Sequence, residues 1–226
     1  MKAFILAGGR GLRLMPITER IPKPLIRVGG RPIIEWQIAW LRGFGINEFV
    51  VSSGYLGSRL KKHIGTGSRW NVSIEYSEEN EPLGTGGALR NAKDLLDGEF
   101  LVSVGDIITN IDIRKMRLGR DTANISLTPL TSQYGVIKTG GRKVLGFEEK
   151  PVLKTYWRNA GIYLMGSTIF RYLPRKGDME KATFPLLAKR RMLGYTKFRR
   201  SYLRAVDSIK DIEEISADLS RGKVRN

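Results

Sequence analysis

The sequence predicts an α/β fold: a doubly wound, mostly parallel sheet with helices on both faces and an antiparallel insertion. Over the first hundred residues, short apolar strand patterns alternate with helix patterns, and a glycine-rich segment follows the first strand. After Asp106 the strand patterns come closer together, with glycine and proline between them. Alternation favours parallel pairing because parallel neighbours need a crossover, which is usually helical, whereas closely spaced strands are typical of antiparallel pairing.

The first half of the chain contains four strand patterns and two helix patterns. The strand patterns are Lys2–Leu6, Glu48–Ser52, Val72–Tyr76 and Glu99–Val104. The first helix pattern starts near Pro32 and ends at Gly43 or Gly45, with apolar residues at three- and four-residue intervals. The second is shorter and covers Leu56–Ile64. This succession is typical of a Rossmann-like sheet with right-handed crossovers.

The second half contains the strand patterns that predict the insertion, and then two helix patterns. The strand patterns are Ile125–Pro129, Gly135–Lys138, Val144–Glu149 and Ile162–Met165. The helix patterns are Phe184–Met192 and Ser208–Leu219, and the second begins with Ser208 three residues before Asp211, which resembles a capping box. No repeat or low-complexity linker divides the chain, so we expect residues 1–226 to form a single domain.

Charge alone does not determine the class of partner. The chain has 39 Lys and Arg against 22 Asp and Glu, a formal net charge of +17. Basic and aromatic residues alternate in Lys197–Arg204, as they do in proteins that bind nucleic acid. No helix-turn-helix, RNP or zinc-finger pattern accompanies them, so we expect no dedicated nucleic-acid partner. A basic surface also attracts smaller anions, such as nucleoside triphosphates and sugar phosphates.

Composition excludes several other classes of site. The sequence has no cysteine, and His63 is its single histidine, which excludes disulfides, thiolate metal sites and multi-histidine zinc sites. Apolar stretches such as Ala3–Ala7 are far shorter than the roughly 20 residues of a membrane span, and glycines interrupt the apolar N-terminus at once. We therefore expect a cytoplasmic protein without a membrane partner. The sequence predicts no oligomeric state.

Two segments with chemically suitable side chains follow predicted strands, where ligands bind in open α/β sheets. The first, Ala7–Lys23, has glycines at positions 8, 9 and 11, whose N–H groups can turn toward phosphate oxygens. Arg13 and Lys23 add positive charge, and two prolines flank Lys23. The second segment is Gly105-Asp106, which follows the strand pattern Glu99–Val104. Together they predict a phosphate site.

Other glycine loops fit the first segment less well. A dinucleotide-binding fingerprint needs a third glycine where Leu14 stands, and an NTPase phosphate loop needs Gly-Lys followed by Ser or Thr, which is absent. Gly8-Gly9 alone is compatible with an ordinary turn. The addition of Arg13 and Pro22-Lys23-Pro24 favours the phosphate site.

The sequence resembles the sugar-phosphate nucleotidyltransferases over nearly its whole length. Leu6-Ala7-Gly8-Gly9-Arg10-Gly11-Leu12-Arg13-Leu14, Pro16-Ile17-Thr18 and Pro22-Lys23-Pro24-Leu25 are similar to the signature of that family. Further stretches match in order: Glu81–Ala88, Gly105-Asp106, Tyr134-Gly135-Val136, Phe147–Pro151 and Asn159–Tyr163. The resemblance implies the nucleotide-diphospho-sugar transferase type of fold. It also implies transfer of a nucleotidyl group from a nucleoside triphosphate to a sugar 1-phosphate, with Mg²⁺ as cofactor.

The resemblance also implies a role for each matching position. The catalytic residues would be Arg13, Lys23 and Asp106. The nucleotide would be bound by Leu6, Ala7, Gly8, Gly9, Gly11, Gly84, Thr85, Gly86 and Gly87. The sugar phosphate would be bound by Gly135, Glu149, Lys150, Asn159 and Gly161, and Mg²⁺ by Asp106 and Asp207. Ordinary structural roles stay open for Asp106 as a strand-end residue, for Glu149 and Lys150 as a solvated pair, and for Asn159–Gly161 as a turn.

Departures from the family pattern bear on the second metal ligand and on the substrates. Leu12 stands where Thr or Ser is usual, and Val104 where many members have Asn. Asp207 is displaced by two positions from the family's Asp-Ile-Gly-Thr, so it is also interpretable as an acid favoured by the helix dipole. Glu81–Ala88 is most similar to guanylyltransferases acting on mannose or heptose 1-phosphates, which predicts GTP and a manno-configured sugar phosphate.

Two alternatives remain within the resemblance. One is a UTP- or dTTP-dependent glucose-1-phosphate nucleotidyltransferase, although the Gln usual in thymidylyltransferases is missing from Glu81–Ala88. The other is a catalytically inactive regulatory homologue, against which Arg13, Lys23, Asp106 and Lys150 argue. The chain lacks the hexapeptide repeats of the left-handed helix in longer relatives, so that domain's acyltransferase or assembly role is not expected.

Overall fold

A computed structural model describes residues 1–224 and shows a seven-stranded sheet with helices on both faces. The strands are β1 (Ala3–Leu6), β2 (Arg27–Val28), β3 (Arg31–Pro32), β4 (Glu48–Ser53), β5 (Ser73–Glu78), β6 (Glu99–Val104), β7 (Ile107–Thr109), β8 (Ala123–Thr131), β9 (Val136–Gly140), β10 (Lys143–Glu148), β11 (Val152–Gly166), β12 (Leu193–Lys197) and β13 (Leu203–Ala205). The α-helices are α1 (Ile17–Arg20), α2 (Ile33–Arg42), α3 (Gly57–Ile64), α4 (Gly84–Asn91), α5 (Thr183–Lys189) and α6 (Ile209–Ser220).

The main sheet is mostly parallel, as the sequence predicts. Its strand order is β12-β8-β11-β6-β1-β4-β5. β1 pairs in parallel with β4 and β6, β4 with β5, and β8 with β12. β11 runs antiparallel between β6 and β8. The predicted antiparallel insertion is confirmed, and β9 and β10 form a separate antiparallel hairpin.

Apolar side chains cover both faces of the sheet, because adjacent residues of a strand point to opposite sides. On one face, Ile5 of β1 belongs to a buried cluster that includes Ile38 of α2. On the other face, Phe4 belongs to a cluster that includes Leu89 of α4. A third cluster includes Ile215 and places α6 beside α2. Strands that are apolar throughout are therefore covered on both sides.

The last helix begins as the sequence predicts. Ser208 is the N-cap of α6: its hydroxyl accepts a hydrogen bond from the Asp211 N–H at 3.2 Å and donates one to the Asp211 carboxylate at 2.7 Å. This cap satisfies one of the N–H groups that the first helical turn leaves without a partner. Asp207 immediately precedes Ser208, so the cap fixes the backbone position from which the Asp207 side chain extends.

β11 is much longer than its sequence pattern, and α4 has no counterpart among the helix patterns. β11 covers 15 residues, whereas the sequence pattern indicates only Ile162–Met165. The pattern shows only part of the strand because the register shifts between Asn159 and Tyr163. Gly161 lies in this irregular stretch with φ +73°, and such a bulge interrupts the two-residue period that marks a strand. α4 begins at Gly84, so Gly84–Gly87 forms the first turn of a helix. Within residues 1–224, no helix is long and apolar enough to cross a membrane.

Candidate active site

A cavity of about 1030 Å³ opens at the carboxyl ends of the parallel strands. The residues that line it are 6–14, Lys23, Pro24, Ser52, Gly54, Tyr55, 79–85, Ala88, 104–106 and Asp178. Because β1, β4, β5 and β6 are parallel, the residues that follow them meet at one edge of the sheet. The predicted catalytic residues and the glycine-rich segment therefore lie in the same cavity.

The segment after β1 is hydrogen-bonded to Ser52 at its start, and the glycines that follow face the cavity. The Ser52 hydroxyl accepts hydrogen bonds from the N–H groups of Ala7 at 2.9 Å and Gly8 at 3.2 Å. Nothing among residues 1–224 accepts a hydrogen bond from the N–H groups of Gly9, Arg10 or Gly11. A Cβ built on Gly9 meets no atom within 4 Å. These N–H groups are therefore available to anionic oxygens.

Gly8 and Gly105 both leave little room for a Cβ, but only the contact at Gly105 is with backbone. A Cβ on Gly8 would lie 2.3 Å from the Glu79 Oε1 atom. A Cβ on Gly105 would lie 2.2 Å from the Leu6 carbonyl oxygen, which accepts the Gly105 N–H at 2.9 Å. The end of the Glu79 side chain can move aside from a Cβ at position 8, whereas the Leu6 backbone cannot move from one at position 105. Glycine at position 105 therefore allows the end of β1 and the Gly105-Asp106 turn to lie together.

Lys23 joins the two predicted metal ligands. Its Nζ atom lies 2.6 Å from Asp106 Oδ2 and 2.9 Å from Asp207 Oδ1, and its side chain is only 13% exposed. Arg13 also contacts Asp207 Oδ1, at 2.9 Å. The β7–β13 pairing brings Asp207 to this place, because the Val206 N–H donates to the Asp106 carbonyl at 2.8 Å. The four charged side chains thus form one connected group.

The glycines of the first turn of α4 have two different surroundings. Gly84 and Thr85 line the cavity. Gly86 and Gly87 are buried behind it, and their N–H groups donate to the Gly177 carbonyl at 2.9 and 3.2 Å. The contact of Gly86 and Gly87 is with the backbone of the segment around Gly177. The nucleotide-binding role of all four residues, Gly84–Gly87, stays a prediction.

The predicted sugar-side residues form two groups. Asn159 and Gly161 lie on β11 beside β6, and a Cβ on Gly161 would lie 2.5 Å from the Val104 side chain, which lines the cavity. Glu149 and Lys150 lie after the β9–β10 hairpin, outside the lining of the cavity, with side chains 64% and 62% exposed. Gly135 lies beside them, since a Cβ there would be 3.1 Å from Glu149 Oε2. Their binding role stays a prediction.

Two residues that line the cavity, Ser52 and Glu79, are not among the site residues predicted from the sequence. Ser52 ends the predicted strand Glu48–Ser52, and Glu79 follows β5, so both occupy strand ends like Asp106. Burial raises the pKa of the Glu79 carboxyl, although hydrogen bonds with the Leu83 N–H and the Ser52 hydroxyl act in the opposite direction. Attention to every parallel strand end would have identified them.

The sequence of this chain matches a known protein family. The family model described as "Nucleotidyl transferase" matches residues 2–221. The chain belongs to this family. The resemblance seen in the sequence is thereby confirmed, as is the fold class.

Curated relatives include guanylyltransferases. The chain is 36% identical to a mannose-1-phosphate guanyltransferase of Aspergillus oryzae in an alignment 207 positions long, which covers 84% of the chain and 56% of the relative. It is 34% identical to the D-glycero-alpha-D-manno-heptose 1-phosphate guanylyltransferase of Campylobacter jejuni, over 75% of the chain and 78% of the relative. The chain spans little more than half the length of the fungal relative.

A solved structure shares the fold. It is a protein from Bacillus anthracis assigned as a glucose-1-phosphate thymidylyltransferase, in complex with sucrose. The TM-score is 0.78 at 26% identity, with 100% of this chain and 96% of that chain covered.

Proposed function

We propose that this protein transfers a nucleotidyl group from a nucleoside triphosphate to a sugar 1-phosphate and releases pyrophosphate. The observation that carries the proposal is the meeting of Arg13, Lys23, Asp106 and Asp207 beside the free N–H groups of Gly9–Gly11. Two cations, two carboxylates and a glycine-rich anion site are the groups that phosphoryl and nucleotidyl transfer needs.

The reaction needs little covalent chemistry from the protein. An oxygen of the sugar phosphate, already negatively charged, attacks the α-phosphorus of the triphosphate. The bond between that phosphorus and the oxygen bridging to the β-phosphate breaks, and pyrophosphate leaves with the electron pair. No proton has to be removed from the nucleophile, so no enzymic base or nucleophile is needed. Catalysis then consists of positioning two anions in line and stabilising the charge that develops.

Each part of the cavity has a task in this scheme. The N–H groups of Gly9–Gly11 hold phosphate oxygens, and Arg13 and Lys23 stabilise charge on the α-phosphate and on the departing pyrophosphate. Lys23 already lies between two carboxylates, which keep its ammonium in place before substrate arrives. The Arg13 side chain is exposed and paired with Asp207, and it would turn from that carboxylate to the triphosphate.

The donor set fits Mg²⁺. Asp106 and Asp207 already direct carboxylate oxygens at one cation, the Lys23 ammonium, and Mg²⁺ prefers oxygen ligands. Within residues 1–224 no cluster of three or more His, Cys, Asp or Glu side chains could hold a metal, so these two carboxylates would share the ion with phosphate oxygens and water. When bound, Mg²⁺ would neutralise phosphate charge beside Lys23.

GTP and mannose 1-phosphate, or another manno-configured sugar phosphate, are the proposed substrates. The Glu81–Ala88 segment and the two guanylyltransferase relatives support this choice. The Bacillus anthracis structure supports a second candidate pair, dTTP with glucose 1-phosphate. A UTP--glucose-1-phosphate uridylyltransferase of Synechocystis, 31% identical to this chain, supports UTP with the same sugar phosphate. The proposed location is the cytoplasm, in keeping with a sequence without cysteine. No dedicated nucleic-acid or membrane partner is proposed.

A substrate panel tests the proposal. Wild-type protein is mixed with Mg²⁺, one of GTP, ATP, CTP, UTP or dTTP, and mannose, glucose or heptose 1-phosphate, and pyrophosphate release is followed. We expect the fastest release with GTP and a manno-configured sugar phosphate. A preference for UTP or dTTP would overturn the guanylyl assignment alone. Absence of release from every pair would overturn the proposed function.

A further inference from the structure

Glu180, which no sequence pattern identifies, joins the nucleotide side of the cavity to the sugar side. Its Oε2 atom accepts a hydrogen bond from the hydroxyl of Thr85, which lines the cavity in the first turn of α4. Its Oε1 atom accepts one from the hydroxyl of Tyr163 on β11, at 3.2 Å. Glu180 itself lies just before α5, so three separate parts of the chain meet at one carboxylate.

The hydrogen bonds continue beyond both hydroxyls. Asn159 Nδ2 donates to the Tyr163 oxygen at 2.8 Å, and Asn159 Oδ1 accepts from the Gly161 N–H at 2.9 Å. On the other side, the Met179 N–H donates to the Thr85 oxygen at 3.0 Å. The bonds form one uninterrupted path between Asn159 and Thr85, two residues that the family resemblance assigns to different substrates.

The charge of Glu180 fixes the direction of every bond in this path. An ionised carboxylate only accepts, so the hydroxyl protons of Thr85 and Tyr163 both point at it. Each hydroxyl oxygen is then left to accept from an N–H group, as observed. Burial, and then the Glu180 charge, raise the pKa of the Tyr163 hydroxyl, so it remains a proton donor throughout the physiological range.

Asn159 is held in one orientation as a result. Its amide oxygen faces the Gly161 N–H and its nitrogen faces Tyr163, so the amide cannot turn over without losing both bonds. Among residues 1–224, nothing accepts from the second proton of that nitrogen. The side chain is exposed, and it therefore presents a hydrogen-bond donor of fixed direction beside the cavity.

We propose that Glu180 is a positioning residue, which orients the Thr85 hydroxyl and the Asn159 amide together and so holds the two substrate sides in one geometry. The inference rests on the proposed function, because it assigns the two sides to nucleotide and sugar phosphate. Its consequence is that a change at Glu180 acts on both substrates, although Glu180 need not touch either.

The first test is kinetic and uses E180Q, which keeps the shape of the side chain but exchanges one acceptor for a donor. We expect kcat to fall, and the KM values for the nucleotide and for the sugar phosphate both to rise, each roughly tenfold, because misplaced binding groups affect binding and turnover together. The matched control is Lys189→Gln at an exposed position of α5, expected to match wild type. A folded E180Q variant with wild-type kcat and KM would overturn the proposal.

Y163F provides an independent second variant, because it removes only one hydroxyl. We expect it to reproduce the kinetic change of E180Q. The double variant should be little worse than the poorer single variant, because both changes break the same path, whereas independent sites would add. Additive losses in the double variant, or wild-type kinetics in a folded Y163F protein, would contradict the proposal even if E180Q does not fold.

The side-chain amide resonance of Asn159 gives a readout that does not depend on turnover. It is identified by its loss in Asn159→Asp, and we expect both E180Q and Y163F to shift it, and Lys189→Gln to leave it in place. A resonance unmoved by E180Q would overturn the proposal. If wild type releases no pyrophosphate but the resonance moves as expected, the proposed function fails while the orienting role of Glu180 stands.

Discussion

Lys23 and Asp106, separated by 83 residues, meet with 2.6 Å between the ammonium and a carboxylate oxygen. The contact lies where the glycine-rich segment after β1 faces the turn after β6. Asp207 joins the same ammonium at 2.9 Å, so one cation is shared by two acids from distant parts of the chain. The parallel sheet thus brings residues that are distant in the sequence together in one site.

Lys23→Ala should lower kcat by roughly 10²–10³, the scale for losing one aimed charge at a developing anion. The variant also removes the cation paired with Asp106 and leaves Asp207 with Arg13, so its folding has to be checked by circular dichroism. Lys62→Ala, at an exposed position of α3, is the matched control and should keep the wild-type rate. Wild-type turnover in folded Lys23→Ala protein would remove the catalytic role.

Asp106→Asn and Asp207→Asn should both raise the Mg²⁺ concentration needed for half-maximal rate, and EDTA should abolish activity. Asp106→Asn should be the more severe, because Asp106 lines the cavity and Asp207 does not. The exposed Asp97→Asn serves as control. A Mg²⁺ titration of Asp207→Asn that coincides with wild type would show that Asp207 only precedes a helix.

Gly9→Ala and Gly87→Ala should separate binding from folding. A Cβ on Gly87 would lie 2.7 Å from the Arg175 carbonyl oxygen, so we expect that variant to lose about 1–3 kcal/mol of stability. A Cβ on Gly9 meets nothing, so its stability should change by less than about 0.5 kcal/mol. Its KM for nucleotide should nevertheless rise about tenfold, because the methyl group obstructs an N–H that binds phosphate. Urea unfolding measures the stability of each variant, and nucleotide titration measures its KM. A destabilised Gly9→Ala protein with the wild-type KM for nucleotide would contradict the role of Gly9 in binding phosphate.

Glu79 should make stability depend on pH in a defined direction. Burial raises the pKa of its carboxyl above the ordinary value of 4.5. As pH rises above that value, the carboxyl ionises first in the unfolded chain, which favours unfolding. The Tm of wild type relative to Glu79→Gln should therefore fall as pH is raised from 4 until the folded pKa is passed. A difference in Tm that is constant with pH, or that increases, would show that burial does not raise the pKa of the Glu79 carboxyl.

Much of this architecture is predictable because its causes are local. Apolar periodicity specifies the strands around Ile5 and Val102 and the helix containing Ile38, and the Ser208 cap is visible as a pair of residues. The glycine-rich segment and Asp106 follow from the rule that ligands bind at strand ends.

The rest depends on contacts between distant residues. The extent of β11 is hidden by the bulge around Gly161, and the pairing of β13 with β7 places Asp207, whose sequence context is ambiguous. Gly86 and Gly87 receive their role from a backbone segment about ninety residues later, around Gly177. Glu180 has no motif, because its partners come from α4 and β11. Such roles are properties of tertiary packing and leave no periodic or local pattern.

The most direct test follows the fate of individual phosphorus atoms. Wild-type protein, Mg²⁺ and mannose 1-phosphate are incubated with GTP labelled at either the α- or the γ-phosphate, and the products are separated. Attack at the α-phosphorus predicts that the α label appears in the nucleotide sugar and the γ label in pyrophosphate. A γ label recovered as inorganic phosphate or on the sugar would mean attack at the γ-phosphorus, and would contradict nucleotidyl transfer.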